Sequence, residues 1–363
     1  MCSRPSLPGF IVRQRCRVGM ASYEGNIISM VNSTFVGLAL TLSKDVGMLE
    51  TLIDADKPLT SAEIAEEGEL KERYVREILG CLATAEVIHV STNEAGSLVY
   101  HLDESEKQVF KTQTLSLLSF PIAMIAVYEQ IKECCLLSGP YGVRFPKVYL
   151  DCMEEHSFDV VKAYVDNILK FAPGLRAKLE SGIEVAEVGC VRGRVLAFVA
   201  GMFSKSNFTA FSSEPSHQER QRFNLGQLPS IKYEILDVRS PFSDPPSKLY
   251  DWVYCVNVIE HLPNPLEALK NIRNIMRPSG TFTMICSATS GSPVEDRGNL
   301  HVARQYALSS FFSVPESLQQ DPKGQALGMC WGKIAAIKMA QEAGFQVQTV
   351  DQSDETALFI CHL

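Results

Sequence analysis

Apolar residues are spaced in two different ways along this chain, and the spacing changes near residue 183. Beyond that point, short apolar runs alternate with longer segments in which apolar residues recur every three or four positions. The short runs are typical of buried strands, and the longer segments are typical of helices packed on them. The predicted strands are 183–188, 208–211, 231–236, 251–258, 281–286, 345–350 and 357–362. A helix is predicted over 216–226, and a turn is predicted at 277–280. Alternating strands and helices predict an open α/β sheet that ends in an antiparallel pair.

The segment ahead of the sheet is predicted to be mainly helical, with one hairpin. Helical spacing covers 21–58 and 72–85, and short apolar runs at 87–90 and 98–102 flank a polar tip. Thr60 and Glu63 have the spacing of a capping box, which marks the start of another short helix. Two helices joined by a turn and followed by a two-stranded wing form the winged-helix arrangement.

A helical connector is predicted between this wing and the sheet, with helices over 115–137 and 158–179. The connector either packs the domains together or forms a lid over a pocket at their junction, where small-molecule sites are common. Three of its tyrosines could reach such a pocket: Tyr141, Tyr149 and Tyr164. The predicted domains are a disordered extension (1–20), a winged-helix domain (21–110), the connector (111–182) and an α/β domain (183–363).

A glycine-bearing turn follows the first predicted strand of the sheet. Glu187, Gly189 and Gly193 lie in or beside this turn, and a helical pattern begins at Val195. A strand, a turn and a helix in this order form the first unit of a doubly wound sheet and predict a ligand over the turn. Such turns occur in many nucleotide-binding proteins, so the turn by itself does not identify the ligand.

Charge argues against a nucleic-acid partner. Of the 363 residues, 21% are charged and 46% are hydrophobic, and the net charge is −8. Between residues 21 and 110 there are sixteen acidic and six basic residues, a net charge of −10. A surface that neutralises phosphates requires the opposite balance. We therefore expect the winged helix to serve dimerisation and substrate covering, with its apolar first helices packed on a partner subunit.

Cysteine, histidine and apolar patterns indicate the setting of the protein. The eleven cysteines include no CxxC pair, which is typical of buried thiols in a reducing compartment such as the cytoplasm. The seven histidines show no metal-ligand spacing, so no metal is expected. No apolar run reaches the roughly 18–20 residues that a membrane span needs. The first 19 residues hold four arginines and no acid, which indicates either a weak targeting segment or an extension ahead of a second start at Met20.

Three further segments join the glycine turn in an ordered set. The four segments are 187–193, 235–237, 250–265 and 274–281. In this order and spacing the chain resembles the class I S-adenosylmethionine-dependent methyltransferases. The winged helix, together with 310–318, 327–332 and 343–345 behind the sheet, resembles the two-domain subgroup that has an Rv2258c-type winged helix. The resemblance implies a Rossmann-like seven-stranded sheet behind a smaller helical, winged-helix domain.

The same resemblance implies a site for S-adenosylmethionine at the carboxyl ends of the strands. Glu187 would hold the ammonium group, and Asp237 would accept a hydrogen bond from the adenine amino group. The other positions that the resemblance assigns to the cofactor are Gly189, Gly193, Ser212, Val238 and Asn257. The glycines would let main chain approach the ligand, the valine would use its main chain, and the asparagine would lie beside the methionine portion.

Two positions depart from the family pattern. Val191 replaces a glycine of the turn, and positive φ at valine is costly. Ser212 replaces the acid that grips both ribose hydroxyls, although Glu214 could reach back instead. Each change would weaken cofactor binding by about 1–3 kcal/mol, or about tenfold to a hundredfold. These departures keep open the possibility of a degenerate, inactive member.

A general base is needed only when the methyl acceptor must lose a proton. His261, after the fourth strand of the sheet, and His301, in the insertion after the fifth, are the candidate bases. A structural role is the alternative for His261. His301 lies in the segment where substrate contacts are expected.

The leading hypothesis is methyl transfer from S-adenosylmethionine to an O, N or S atom of a small molecule. The covering helical domain favours a small acceptor over a macromolecule. A second hypothesis is a binding or regulatory pseudoenzyme that keeps the fold and binds the cofactor weakly or not at all. A winged-helix transcription regulator is a third, which the acidic winged helix disfavours. A cytoplasmic homodimer without nucleic-acid or membrane partners is expected.

Overall fold

The computed structural model describes residues 22–111, 117–146, 149–150, 152, 158–190, 193–213, 231–241, 248–351 and 355–363. The chain divides into two compact units, one ending at Lys107 and the other beginning at Gln108. The second unit therefore contains both the predicted connector and the predicted α/β domain.

The first unit has the elements of a winged helix. Its helices are α1 (Tyr23–Asp45), α2 (Met48–Asp54), α3 (Ser61–Glu67), α4 (Glu72–Thr84) and α5 (Glu104–Phe110), the last of which crosses the unit boundary. Its strands are β1 (Leu59–Thr60), β2 (His89–Thr92) and β3 (Leu98–His101), in the order β1-β3-β2. The predicted capping box is present at the start of α3. The Thr60 Oγ1 accepts from the Glu63 amide at 3.2 Å, and the Glu63 carboxylate accepts from the Thr60 amide at 2.7 Å.

Helix α1 exposes an unusual amount of apolar surface. Its exposed large side chains are Tyr23, Ile27, Ile28, Met30, Val31, Phe35 and Leu42, and Phe35 is 67% exposed. By length and composition α1 could cross a membrane. Among the described residues, it is the one helix that meets this criterion. No segment of this kind was expected from the sequence, because the apolar residues of α1 do not form an unbroken run. Gly, Ser, Thr and Asn interrupt the apolar run of α1 without adding charge.

The second unit is built on one large sheet. Its helices are α6 (Ser119–Cys134), α7 (Phe158–Phe171), α8 (Leu175–Ser181), α9 (Arg194–Met202), α10 (Pro265–Asn274), α11 (Leu300–Leu308), α12 (Val314–Gln320) and α13 (Lys333–Glu342). Its strands are β4 (Glu184–Val188), β5 (Asn207–Ser212), β6 (Ile231–Ile235), β7 (Tyr250–Val256), β8 (Met276–Ser287), β9 (Gln346–Asp351) and β10 (Thr356–His362). A 3-10 turn (Ile259–His261) follows β7, and a π-helical turn (Ser309–Ser313) joins α11 to α12.

The seven strands lie in the order β6-β5-β4-β7-β8-β10-β9. The strands from β6 to β8 are parallel, and β10 runs antiparallel to both of its neighbours. Because successive side chains of a strand point to opposite faces, each strand contributes to two cores. Ala186 and Val188 belong to one core, and Val185 belongs to the other with Trp252 and Tyr254. This arrangement confirms the predicted seven-stranded α/β sheet and its antiparallel end.

Two predicted elements differ in the structure, and a third lies outside the described residues. The single helix expected over 158–179 is two helices, because Pro173 and Gly174 interrupt it and Gly174 has a φ of +75°. The turn expected at 277–280 is the start of the long strand β8, which has a register irregularity opposite β7. The helix expected over 216–226 falls on residues that are not described.

Candidate active site

The turns after β4 and β7 meet at the carboxyl edge of the sheet. Glu187 on β4 is the register partner of Tyr254 on β7, so the residues that follow the two strands are close. Gly189 has a φ of +74°, and a Cβ built on it would lie 2.6 Å from Val258 Cγ1. Only a glycine fits both this backbone conformation and this contact. Gly189 therefore has a structural reason to be glycine, and its predicted role in letting main chain approach a ligand stays a prediction.

Asn257 follows β7 with a positive φ of +49°. Its amide donates to the Ile285 carbonyl at 2.9 Å, so the left-handed residue is held against β8. Asparagine tolerates this conformation better than most residues, and strained positions of this kind occur often at functional sites. The conformation turns the chain from β7 into the 3-10 turn that carries Glu260 and His261.

Glu187 is a buried carboxyl that lacks a charged partner among the described residues. Tyr254 Oη donates to Glu187 Oε2 at 3.1 Å, and the Cys190 thiol and the Leu196 amide donate as well. Burial nevertheless outweighs these hydrogen bonds and raises the pKa of Glu187 to about 7. The Leu196 amide belongs to the first turn of α9, and Gly193, with a φ of +66°, is the N-cap of that helix. The glycine turn therefore brings a helix N-terminus to a buried carboxyl.

Asp237, beyond the end of β6, has the opposite environment. It lies near the surface, and Arg239 binds it from three nitrogens. The Arg239 amide and Nε donate to Asp237 Oδ1 at 3.0 and 2.7 Å, and Nη2 donates to Oδ2 at 2.9 Å. The Arg239 side chain holds the pKa of Asp237 below its usual value. A further Arg239 nitrogen donates to Gln320 Oε1 at 3.0 Å, so the pair is tied to α12.

Ser212 and Val238 are both buried beside these strand ends. The Ser212 carbonyl accepts from the Leu236 amide at 3.0 Å, and the Val238 carbonyl accepts from Asn271 Nδ2 at 3.0 Å. The Val238 carbonyl thus accepts a hydrogen bond within the fold. The Val238 amide is therefore the main-chain group that would donate to a ligand. Val191 and Glu214, the positions on which the departures from the family depend, lie outside the described residues.

The two predicted bases lie in different surroundings. The ring of His261 packs against Phe312 with centroids 4.9 Å apart, its Nδ1 has no hydrogen-bond partner among the described residues, and burial lowers its pKa to about 4. His301, at the start of α11, lies 2.9 Å from the Glu355 carboxylate. Its ring nitrogens also contact the side chains of Arg304 and Gln305. Burial lowers the pKa of His301, and Glu355 opposes that shift.

Glu260 is a titratable residue of this edge that was not among the predicted site residues. It is fully buried, and its carboxyl oxygens accept no hydrogen bond from another described residue. Burial raises its pKa to about 7. The Tyr164 hydroxyl lies near enough to Glu260 and Glu355 that their charges add to the burial that raises the pKa of Tyr164 to about 12. Its position could have been noticed in the sequence, because it follows Asn257 by three residues at a strand end of the kind where ligands bind.

The other two connector tyrosines are placed differently. Tyr149 is buried, and its hydroxyl donates to the Phe311 carbonyl at 2.7 Å, while its ring stacks on Phe145 at 4.4 Å. Its hydroxyl is thus used within the fold, and the ring belongs to an aromatic cluster with Phe312. Tyr141 is exposed. The cluster extends to His261 through Phe312, so aromatic rings of the connector and the insertion lie beside the predicted site.

Comparison with known families accounts for this arrangement. A family model described as a methyltransferase domain matches residues 153–321, and a model described as an Rv2258c-like winged HTH domain matches residues 34–111. The chain carries a class I methyltransferase domain behind a winged-helix domain. Both parts of the resemblance drawn from the sequence are thereby confirmed, and the carboxyl edge described above belongs to the methyltransferase domain.

Solved methyltransferases share the fold over nearly their whole length. Human N-acetylserotonin methyltransferase, solved in complex with SAM, superposes with a TM-score of 0.65 at 14% identity over 95% of this chain and 99% of its own. Mitomycin 7-O-methyltransferase MmcR superposes with a TM-score of 0.59 at 14% identity over 94% of this chain and 98% of its own. Likeness at this level of identity establishes the fold of the methyltransferase and winged-helix domains.

Curated relatives match over shorter stretches. (S)-Coclaurine N-methyltransferase from Papaver somniferum is 27% identical over 31% of this chain and 33% of its own length. The highly reducing polyketide synthase g433 from Fusarium sp is 26% identical over 36% of this chain and 6% of its own length. This chain thus spans a third or less of the length of these relatives.

Proposed function

We propose that the protein transfers a methyl group from S-adenosylmethionine to an O, N or S atom of a small molecule. The observation that carries the proposal is the buried carboxyl of Glu187, which lies without a charged partner among the described residues at the strand edge formed with Gly189 and Asn257. A carboxyl in such a place gains most from a ligand that brings a positive charge. When bound, S-adenosylmethionine supplies a methyl group on an electrophilic sulfonium.

The residues of this edge fit such a ligand in chemistry. Glu187 would accept the ammonium group, and the turn at Gly189, which has no Cβ, would lie along the ligand's main-chain-like tail. Asp237 has four lone-pair positions, of which Arg239 occupies three, so one remains for the adenine amino group. The Val238 amide and the Ser212 side chain would contact the adenine and the ribose.

We propose that Glu260, ahead of His261, takes up the proton that the acceptor loses. Because its carboxyl is fully buried, the proton must be relayed to it rather than passed directly. A general base works best when its pKa lies near the working pH. Burial raises the pKa of Glu260 to about 7 and lowers that of His261 to about 4, so His261 is neutral at pH 7 but a weak base. We expect turnover with hydroxyl acceptors to rise through about pH 7. In Glu260→Gln this rise should be absent, while binding of S-adenosylhomocysteine should be retained.

A small acceptor is supported by the aromatic cluster around Phe312, whose flat apolar rings pack beside His261. Two fold neighbours are named for small acceptors, N-acetylserotonin and mitomycin. The acid-rich winged helix argues against nucleic acid as the methyl acceptor.

Calorimetric titration of the purified chain with S-adenosylmethionine and S-adenosylhomocysteine is the first test. We expect both ligands to bind and Asp237→Ala to weaken both. Labelled methyl transfer to a panel of phenols, amines and thiols then identifies the acceptor atom. If neither ligand binds at millimolar concentration, the enzyme proposal is wrong.

A pseudoenzyme is the second candidate, and the Asp237–Arg239 pair favours it. A carboxylate that already accepts three hydrogen bonds would bind the adenine amino group more weakly than an unengaged carboxylate would. Ser212 also offers a single hydroxyl, whereas an acid at this position would accept hydrogen bonds from both ribose hydroxyls. Binding of S-adenosylhomocysteine without methyl transfer to any acceptor of the panel would support this candidate over the enzyme.

We further propose that α1 packs against α1 of a second copy in the cytoplasm. Gly25, Ser29, Ser33 and Gly37 recur every four residues, and they line a surface groove of about 530 Å³. Small residues at this spacing let two helices approach closely. Ser33→Glu, an exposed position within this groove, should convert a dimer into a monomer in analytical ultracentrifugation. Recovery of the chain only from detergent-solubilised membranes would instead show that α1 serves as an anchor.

A further inference from the structure

The wing of the first unit carries a cluster of histidines and acids. His89 on β2 and His101 on β3 are register partners in the hairpin. Asp103 follows β3 by two residues, and Glu106 lies in the first turn of α5. The hairpin and the start of α5 therefore bring together four metal-ligating side chains that the spacing of the sequence did not reveal.

The distances within this cluster match those of a metal site. His89 Nε2 lies 2.9 Å from Glu106 Oε1 and 3.5 Å from Asp103 Oδ2. The three ligand atoms all lie within 4.8 Å of one another. Tetrahedral zinc, with ligand distances of about 2.0–2.1 Å, separates neighbouring ligand atoms by about 3.3 Å. The two measured separations lie on either side of that value.

Interactions around the cluster hold its ligands in place. The second oxygen of Glu106 accepts from the Asp103 amide at 2.9 Å, which is the helix-capping contact of α5 and directs Oε1 towards His89. The ring of His101 stacks on that of His89, with centroids 5.1 Å apart. His101 Nε2 lies 3.8 Å from Asp103 Oδ1. Such outer contacts orient ligands in known metal sites.

We propose that His89, Asp103 and Glu106 bind a divalent transition metal of the zinc class, with solvent in the fourth position. Two carboxylates and a neutral imidazole present a net charge of −2 to the ion. The imidazole nitrogen favours zinc, cobalt or nickel over the oxygen-seeking magnesium and calcium. The bound ion would fasten the wing hairpin to α5, because its ligands come from β2, from the segment after β3 and from the helix.

Titration of the full chain with Co²⁺ tests this proposal, because its visible absorption reports ligand type and geometry. We expect a nitrogen- and oxygen-ligated tetrahedral spectrum that Zn²⁺ displaces. His89→Ala and Asp103→Asn should each weaken binding by about tenfold or more. His89 is 47% exposed in its side chain, so its replacement leaves the core intact. The exposed His362 on β10 provides the matched control, and His362→Ala should bind as the unaltered chain does.

Thermal unfolding supplies a second readout. Zn²⁺ should raise the Tm of the unaltered chain and of His362→Ala, and should leave that of His89→Ala unchanged. Three results would overturn the proposal: no binding at millimolar Co²⁺, equal binding by His89→Ala, or the charge-transfer absorption of thiolate ligands. The first would leave the cluster as a set of ion pairs, and the last would assign the metal to cysteines elsewhere in the chain.

Discussion

Glu187 and Asp237 are acids at two strand ends of one sheet, and the resemblance assigns both to the same ligand. Their environments are opposite. Glu187 is buried among neutral donors, and its pKa is raised to about 7. Asp237 lies near the surface, and Arg239 holds its pKa below the usual value. A sequence motif specifies a carboxyl group at each position and leaves its ionisation to the surroundings.

The difference between the two acids indicates how each would serve a ligand. Ionised Glu187 is held at a cost, so a cationic ligand removes an existing penalty and gains affinity from it. Asp237 already has its counter-charge, so a neutral amino group adds one hydrogen bond and little else. We therefore expect the β4 end to dominate cofactor affinity and the β6 end to contribute specificity for the adenine.

Adding a side chain at Gly189, where main chain lies close to Val258, should have the largest effect on stability. In Gly189→Ala the new methyl group would meet Val258 at 2.6 Å, and the residue would keep a φ of +74°. We expect a loss of about 3–5 kcal/mol in the free energy of unfolding, from left-handed strain and overpacking together. Chemical denaturation measures this loss.

Gly47 offers a matched control for that substitution. It has a φ of +79°, and a Cβ there would meet nothing within 4 Å. Gly47→Ala should therefore cost only the left-handed strain, about 1–2 kcal/mol. Equal losses in the two variants would show that the contact with Val258 is unimportant.

The charge of Glu187 should set the pH dependence of cofactor binding. With a pKa of about 7 in the free protein, Glu187 must lose its proton before it pairs with an ammonium group. Affinity for S-adenosylhomocysteine should be constant above about pH 7 and fall up to about tenfold per pH unit below it. Glu187→Gln should bind about tenfold to a hundredfold more weakly at pH 8 and should lack this dependence.

The free energy of unfolding should change with pH in the opposite direction to the cofactor affinity. A raised pKa means that the folded chain binds an extra proton between about pH 4.5 and 7, so stability falls as the pH rises through this window. Glu187→Gln lacks that loss. Raising the pH from 5 to 8 should therefore increase its free energy of unfolding by about 3 kcal/mol relative to that of the unaltered chain. Glu184→Gln, at the amino end of the same strand, should leave the affinity for S-adenosylhomocysteine unchanged. Unaltered pH dependence in Glu187→Gln would assign the titration to another group.

The sequence predicted the positions in this comparison better than their chemistry. The strands, the glycine turn and the acids near the carboxyl ends of β4 and β6 follow from apolar spacing and local motifs, which depend on near neighbours in the chain. The partners of those acids do not. Tyr254 reaches Glu187 through the pairing of β4 with β7, and burial of Glu260 depends on the whole edge. Such long-range contacts set pKa values, and they are absent from a linear pattern.

The wing gives a second example of this limit. His89 and Glu106 are seventeen residues apart and do not have the short spacing of common metal motifs. They meet because a hairpin folds back and a helix begins beside its end. Conversely, the capping box at Thr60 was correctly predicted, since all of its atoms lie within four residues.

Neutralising the acid at the β6 end should have a smaller effect than at the β4 end. Asp237→Asn keeps an acceptor oxygen for the adenine amino group but loses the charge. We expect S-adenosylhomocysteine to bind about fivefold more weakly, or about 1 kcal/mol. The loss should be the same at pH 6 and pH 8, because the pKa of Asp237 lies below its usual value. Calorimetry at both pH values measures this, and a larger loss than in Glu187→Gln would reverse the proposed ranking of the two ends.

Removing the partner of Asp237 should have the smallest effect. The Arg239–Asp237 pair is partly exposed, and such pairs contribute about 0–1 kcal/mol to stability. Arg239→Ala should therefore lower the free energy of unfolding by less than about 1 kcal/mol, and this loss should shrink as salt is added. It also frees lone pairs on Asp237, so adenosine should bind at least as tightly as to the unaltered chain. Weaker binding of adenosine by Arg239→Ala would show that Arg239 itself contacts the ligand, and the β6 end would then bind the adenine through the arginine rather than through the acid.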